Sequence, residues 1–478
     1  MNRLTFMLLF CAAVQAASGQ RILKDTLPPS LELELRLMDL PFMTDAAKTE
    51  TIRKQGGSAA FPVRFNGKGY GAFYRNPGMS QATDMAHNLH GSLYYAHNAL
   101  WQRLKKPRTT EGYVLNRLLA NATALATDYL AIKLPYGYAF QHEEFHRAVM
   151  TARHIYSDDA VWDFGKGLDI AVTRVKDADL VYLKKHFPAD QVRLSAAGVE
   201  GEYAYFRRMQ QDNFFRKSGY PFVGLSLLGT LHAINYVKLP LSGRFNRITD
   251  SILAQDKNDI LARDFTGYDF SSWVYDLFTP DEPYAARGNW PGGVGIKRPV
   301  SAGQLSPEMK RFLKETGRMQ YLNLVSPFMA GINRIQLRPG VLFNFALRSV
   351  PTSFGYYAGG DFFLDLHNRR LLVSVGVNRN DALTLPALEM RAYELGKKAL
   401  EGFNMDIHLA AWLQPKDQRF FSKQGVLGMG LGVQPRYALT RRFGLTGSFS
   451  YKTRGWMFEN PYLDRKFTGC LGFRWKVW

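Results

Sequence analysis

Cysteine is nearly missing from this chain of 478 residues: the two present are Cys11 and Cys470. Cys11 falls in a segment that reads as a removable leader, so no intramolecular disulfide is expected to hold the fold. A clear membrane helix is missing too. The uncharged run nearest to one, Tyr220–Val237, contains Pro221, His232 and Asn235 and reads as a buried helix. There is no arginine-rich tract. The basic residues are spread along the chain, which argues against nucleic acid as a partner. Acidic residues are outnumbered, giving a formal charge of +20. In an exported protein that balance points to anionic lipid, lipopolysaccharide or cell-wall polymer.

What is present describes a folded, exported protein. Hydrophobic residues make up 46% of the chain and charged residues 21%, a globular composition, and the length predicts two or three domains. Arg3, the apolar stretch Leu4–Val14 and the small residues Ala16-Ala17-Ser18-Gly19 form a signal-peptide pattern over 1–19. Residues 20–75 are mixed, and the alternation Leu31-Glu32-Leu33-Glu34-Leu35-Arg36-Leu37 reads as a strand.

Residues 76–334 are mainly helical in period. The expected helices are Gln81–Lys105, Gly112–Ile132, Tyr138–Ile155, Asp177–His186 and Asp190–Phe215, with others near Pro221–Tyr236, Thr249–Ala262 and Pro307–Glu315. The Gly/Pro-rich passage Asn289–Gly303 reads as a loop. No internal repeat is apparent.

Over 335–478 the period changes from 3.6 to 2. Eight strand-like runs lie near Val341–Arg348, Phe354–Leu366, Arg370–Asn378, Leu385–Leu395, Phe403–Leu413, Val426–Gln434, Phe443–Thr453 and Phe467–Val477. One parity is apolar, as in Leu371, Val373, Val375 and Val377. The other carries small or charged groups such as Asp361, Glu389, Arg391, Asp406 and His408. Alternation fits both a soluble β-sandwich and a membrane barrel, since only the direction of the apolar face differs. The even strand number, the strand lengths and the long connections Gln414–Gly425 and Arg454–Lys466 favour an eight-stranded barrel. Gly472-Phe473-Arg474-Trp475-Lys476-Val477 resembles the C-terminal signal of bacterial outer-membrane barrels, with Trp478 as one residue beyond it.

Chemistry concentrates in His142-Glu143-Glu144-Phe145-His146, an H-E-x-x-H match. Two imidazoles four apart on a helix share a face and can grip one Zn²⁺. The carboxylate of Glu143 is then placed to take a proton from water at the open metal position. Glu144-Phe145-His146 lies inside an E-x-x-H unit of the di-iron kind, but no second such unit occurs in the chain.

The motif resembles that of the zincin metallopeptidases. The resemblance implies His142 and His146 as zinc ligands, Glu143 as general base, and a third protein ligand. The run Ser195-Ala196-Ala197-Gly198-Val199-Glu200-Gly201-Glu202 resembles the gluzincin arrangement, in which a Glu on a separate downstream helix completes the site. Glu200 and Glu202 lie about 200° apart around a helix, so one of them faces the metal. Glu200 borders the small-residue face and is preferred, with Glu202 as the alternative. Asp158 and Asp159 are candidates for orienting a ligand imidazole, and Tyr203 and His232 for a transition-state donor. His87, His90 and His97 share a helix with Tyr94 and Trp101 and read as packing groups.

The expectation is an α+β multidomain protein, a helix-rich zincin-like domain followed by the barrel. It would perform zinc-dependent peptide hydrolysis in a Gram-negative envelope. The barrel would sit in outer-membrane lipid, with the helical domain in the periplasm. The competing readings are a non-catalytic outer-membrane structural or binding protein, and a metal-dependent hydrolase that modifies lipid or envelope material.

Overall fold

The computed structural model describes residues 31–55, 70–72, 76–103, 110–133, 137–161, 170–216, 223–254, 257–396 and 401–477. The expected leader and Trp478 lie outside these residues. Ten α-helices occur among them: α1 (Phe42–Gln55), α2 (Met79–Arg103), α3 (Thr110–Lys133), α4 (Tyr138–Ala152), α5 (Asp177–His186), α6 (Pro188–Gln211), α7 (Val223–Lys238), α8 (Phe245–Leu253), α9 (Asp269–Phe278) and α10 (Pro307–Met319). The strands are β1 (Glu32–Leu40), β2 (Tyr70–Ala72), β3 (Asp158–Val161), β4 (Ile170–Thr173), β5 (Ile335–Arg338), β6 (Val341–Thr352), β7 (Gly355–Leu366), β8 (Arg369–Arg379), β9 (Thr384–Leu395), β10 (Phe403–Pro415), β11 (Gly425–Ala438), β12 (Phe443–Lys452) and β13 (Lys466–Lys476). The protein is thus a mixed α+β structure. The expected Thr249–Ala262 helix is the shorter α8 followed by a separate turn at Ile260–Ala262.

Each of the eight expected strand runs falls on one of β6–β13, but an eight-stranded barrel is not what they form. They belong to a ten-stranded antiparallel sheet of order β1-β13-β12-β11-β10-β9-β8-β7-β6-β5, and its first and last strands are not paired with each other. The helical region occupies both edges. At β1, the Asn88 side chain on α2 donates to the Glu34 carbonyl at 2.7 Å and accepts from the Glu34 amide at 3.2 Å, and Gln81 donates to the Arg36 carbonyl at 3.0 Å. At β6, beyond the short β5, the Leu347 amide donates to Val325 O at 2.9 Å and Ser326 Oγ donates to Phe345 O at 3.0 Å. At these positions backbone groups that a closed barrel would pair bond to side chains and loop instead. The sandwich alternative finds no second large sheet among the described residues. The other sheet is the three-stranded β2-β3-β4, which packs on α4 through β4.

The sheet is inside-out for a soluble domain. The apolar parity faces outward, with Leu409, Leu431, Leu445 and Leu471 all exposed, while Asp361, Arg348, Arg436 and Asp406 on the other face are buried. Register makes the outward set continuous: Leu409 lies opposite Leu431, Leu431 opposite Tyr451, and Tyr451 opposite Phe467. Exposed aromatics border it at both ends, with Tyr451 and Phe467 at one and Tyr437, Phe443 and Trp475 at the other.

The charged face packs against α6, which is buried over almost its whole length. Its Arg207 reaches Glu389 at 3.0 Å and Asp361 at 3.4 Å, while Phe215, just beyond it, packs on Tyr393. A cavity of about 750 Å³ remains between this face, α2 and the end of α6, lined by paired charges including Arg36, Asp84, Arg208 and Asp406. The main apolar core joins Phe145, Val199 and Trp273 of the helices to Val350, Phe354, Phe420 and Trp456 of the sheet and its connections.

Candidate metal centre

Three helices build the site. α4 carries the H-E-x-x-H residues and packs along α6, where the small residues expected to allow close contact do so. A Cβ on Gly201 would come within 2.8 Å of the Phe145 ring, and Gln141 donates to the Gly201 carbonyl at 2.8 Å. Gly198 faces the imidazoles themselves. A Cβ there would lie 2.3 Å from His142 Nε2 and 2.4 Å from His146 Nε2. The third helix, α9, begins at Asp269, just after Gly267 turns the chain with φ +82°.

His142, His146 and Asp269 converge, and they are the group of metal-ligating side chains found together among the described residues. Asp269 Oδ2 lies 3.2 Å from Nε2 of each imidazole. The other ring nitrogens are occupied. His142 Nδ1 is 2.8 Å from Glu202 Oε1, and His146 Nδ1 is 2.5 Å from the Leu194 carbonyl. Both acceptors require a proton on Nδ1, which leaves the Nε2 lone pairs aimed at one carboxylate oxygen. Such an arrangement is stable only with extra protons or a cation between the three atoms. Imidazoles oriented through Nδ1 by a carboxylate and a carbonyl have the orientation that metal-bound histidines need. The residues therefore fit a divalent metal.

Electrostatics agree. Burial alone would raise the Asp269 carboxyl, but the His146 and His142 rings hold it far below the usual carboxylate range. Burial would lower His142, yet its bonds to Asp269 and Glu202 push it well above the ordinary imidazole value. Glu143 is pushed well above a normal carboxyl, mainly by burial, with the charges of Asp269, Asp159 and Asp264 adding to the shift against the opposing His142.

The structure brings the two histidines together with Asp269 rather than with Glu200. Glu200 is turned to the sheet side, where its carboxylate takes Arg193 at 2.9 Å, the Trp456 indole at 3.1 Å and the Glu459 amide at 2.9 Å. With all three donors satisfied, nothing drives it toward the imidazoles. Glu202 does reach the site, as the partner of His142 Nδ1. Asp159 pairs with Arg147 at 3.3 Å, and Asp158 bonds Tyr156 at 2.6 Å and faces Arg174 at 3.4 Å. These two aspartates thus belong to a separate ion cluster and orient neither ligand. Tyr203 donates to Gln320 at 3.0 Å, and His232 is exposed on α7, its ring 6.1 Å from that of Tyr236. Of the α2 histidines, His90 is buried against the Tyr205 hydroxyl and His87 lies 2.7 Å from Asp212.

Two site residues had no place in the sequence reading. Asp269 sits on a helix that was not anticipated, though Phe270, Trp273, Val274 and Leu277 follow the i, i+3, i+4, i+7 spacing that would have revealed it. Tyr236 donates to Asp269 Oδ2 at 3.0 Å, and its ring lies 5.5 Å from that of His142. Compared with known families, curated proteins and solved structures, the chain matches none.

Proposed function

We propose that this chain is a membrane-anchored, metal-dependent hydrolase, with zinc held by His142, His146 and Asp269 and peptide bonds as its target. The observation that carries the reading is the convergence of two Nε2 atoms on one Asp269 oxygen while both Nδ1 atoms are engaged elsewhere. Three protein ligands of this kind leave a coordination position open, as catalytic zinc requires. When bound, the metal supplies an acidified water and polarises a carbonyl. Glu143 takes the proton from that water and returns it to the leaving amine. Glu202 and the Leu194 carbonyl hold the imidazoles in the metal-binding tautomer, and Tyr236 is held beside the centre by its bond to Asp269. The H-E-x-x-H resemblance supports a peptide bond as the substrate.

The outer membrane is the anchor this reading adopts. An apolar outer face over a charged inner one, bordered at both ends by exposed aromatics, is the pattern of a lipid-facing sheet. Phe467 and Trp475 stand eight residues apart on β13, roughly 26 Å along a strand and about 20 Å of height at a tilt of about 40°, most of an apolar band about 25 Å tall. A second reading, hydrolysis of lipid or envelope material, uses the same metal centre and differs in the bond attacked.

The test is metal analysis joined to turnover on the purified chain. About one zinc per chain is expected, lost in His146→Ala and Asp269→Ala and kept in Glu200→Gln, which retains an acceptor for the Trp456 and Glu459 donors. Glu143→Gln should keep the metal and lose on the order of 10²–10⁴ in rate. Hydrolysis of acyl or amide lipids in place of peptides would select the second reading. Metal bound without any turnover would leave a structural or binding protein.

A further inference from the structure

We infer that the metal centre faces the cell exterior, so that its substrates are polypeptides met at the cell surface rather than in the periplasm. The inference rests on the membrane reading above and concerns only which side of the membrane the site occupies. The sheet has two unlike ends. At one, its hairpins close over Pro339–Gly340, His367–Asn368, 396–402 and Leu439–Arg442. At the other they close over Ser353–Phe354, Asn380–Leu383, Lys416–Gln424 and Thr453–Arg465, which include the two longest connections. In outer-membrane β-barrels short turns lie on the periplasmic side and long loops outside, a rule carried over here to this open sheet.

The metal-bearing helices are joined to the long-loop end. On α9, Trp273 bonds Thr352 at the β6–β7 turn, and Phe278 packs on Phe420 with ring centroids 4.7 Å apart. On α6, two residues beyond the glycine that faces the imidazoles, Glu200 holds Trp456 and the Glu459 amide. At the end of α4, Arg153 pairs with Asp464 at 2.7 Å. The chain also leaves the sheet toward the helices at this end, since β1 runs from Glu32 opposite Lys476 to Leu40 opposite Gly469. The ion pairs and aromatic contacts on α4, α6 and α9 fix the site to one end, so its sidedness follows from that of the loops.

Single cysteines read this sidedness directly. Cys470 is the free cysteine of the described residues and is buried, so the native chain is the unlabelled control. Lys416→Cys in the β10–β11 connection and Lys185→Cys on α5 are exposed positions of the metal-bearing end, and Arg441→Cys is exposed in the β11–β12 turn. In intact cells a membrane-impermeant maleimide should label the first two and reach the third only after the outer membrane is permeabilised. Retained zinc in each variant shows that it has folded. The reverse pattern overturns the inference and leaves the membrane reading standing. Labelling of all three positions alike, before or after permeabilisation, overturns it as well. If the chain is then also extracted by carbonate, the membrane reading falls with it.

Discussion

At the scale of single residues, Gly198 separates a metal site from a pair of packed histidines. Glycine inside a helix costs about 1 kcal/mol relative to alanine, so Gly198→Ala should stabilise α6 if only the helix mattered. A Cβ at 198 would instead press on both Nε2 atoms. The expected result is loss of bound zinc by elemental analysis with no gain in Tm. A higher Tm with zinc unchanged would mean that the space beside the imidazoles is not used. His142 gives a pH signature. Its proton is held well above the ordinary imidazole value in the metal-free protein. Stability from that proton is complete below the unfolded value of about 6.5 and fades as pH rises through the folded one. Glu143, also raised, acts in the same direction. Between about pH 6 and pH 9 metal-free protein should therefore lose more Tm than the zinc-bound protein, which needs neutral imidazole; Lys452, which burial holds down to about 7, pulls the other way in both forms. An equal or smaller loss in the metal-free form would contradict the assignment.

At the scale of elements, the site depends on how α9 is held. Asp276, two turns after Asp269, accepts from Arg287 at 2.6 Å, Lys184 at 3.0 Å and Gln191 at 3.2 Å, tying α9 to α5, α6 and the turn at Tyr284–Arg287. All of these groups except the Gln191 amide are charged, and Asp276 is almost wholly buried. Asp276→Asn leaves two cations without a full counter-charge, which costs about 3–5 kcal/mol in buried pairs. Denaturant melts should show that loss, together with weaker zinc binding, because Asp269 rides on the same helix. Unchanged stability would show the network to be dispensable. α9 and α1 were also the helices that periodicity left unassigned. α4, α5 and α6 were legible because their apolar spacing is long and their starts are marked by Gly137, by Asp177 and by Pro188. α9 is ten residues of mostly aromatic and hydroxyl side chains, whose intrinsic preference for helix is weak, and tertiary burial decides it.

At the scale of the whole molecule, the outward apolar face is the feature on which the membrane reading rests. Leu471, midway between Phe467 and Trp475 on β13 and 49% exposed, distinguishes lipid from water as its neighbour. Lys at the midplane of a membrane sheet costs about 2–4 kcal/mol, whereas an exposed Leu→Lys in water changes stability by about 0.5 kcal/mol or less. Leu471→Lys should lower the fraction folded into lipid vesicles, read as the heat-modifiable band in detergent gels. An unchanged fraction would argue for a water-facing sheet.

Local pattern determined a good deal of this protein. The alternation of Leu31–Leu37 and of the eight later runs encodes strands whatever they pair with, and four-residue spacing on a helix puts His142 and His146 on one face. The small residues of α6 announce close packing in the same local way. Which carboxylate meets the imidazoles is not local. Glu200 and Glu202 lie on the helix beside them, yet Glu200 is claimed by Arg193 and Trp456, Glu202 takes His142 from behind, and Asp269 arrives from a helix far along the chain. Barrel closure is likewise beyond alternation, because it depends on what occupies the two sheet edges, and those are filled by Asn88 and by Val325–Ser326 from the helical region. Periodicity reports which face of an element is apolar. Only the packed chain decides what that face, or a free edge, or a single carboxylate, is set against.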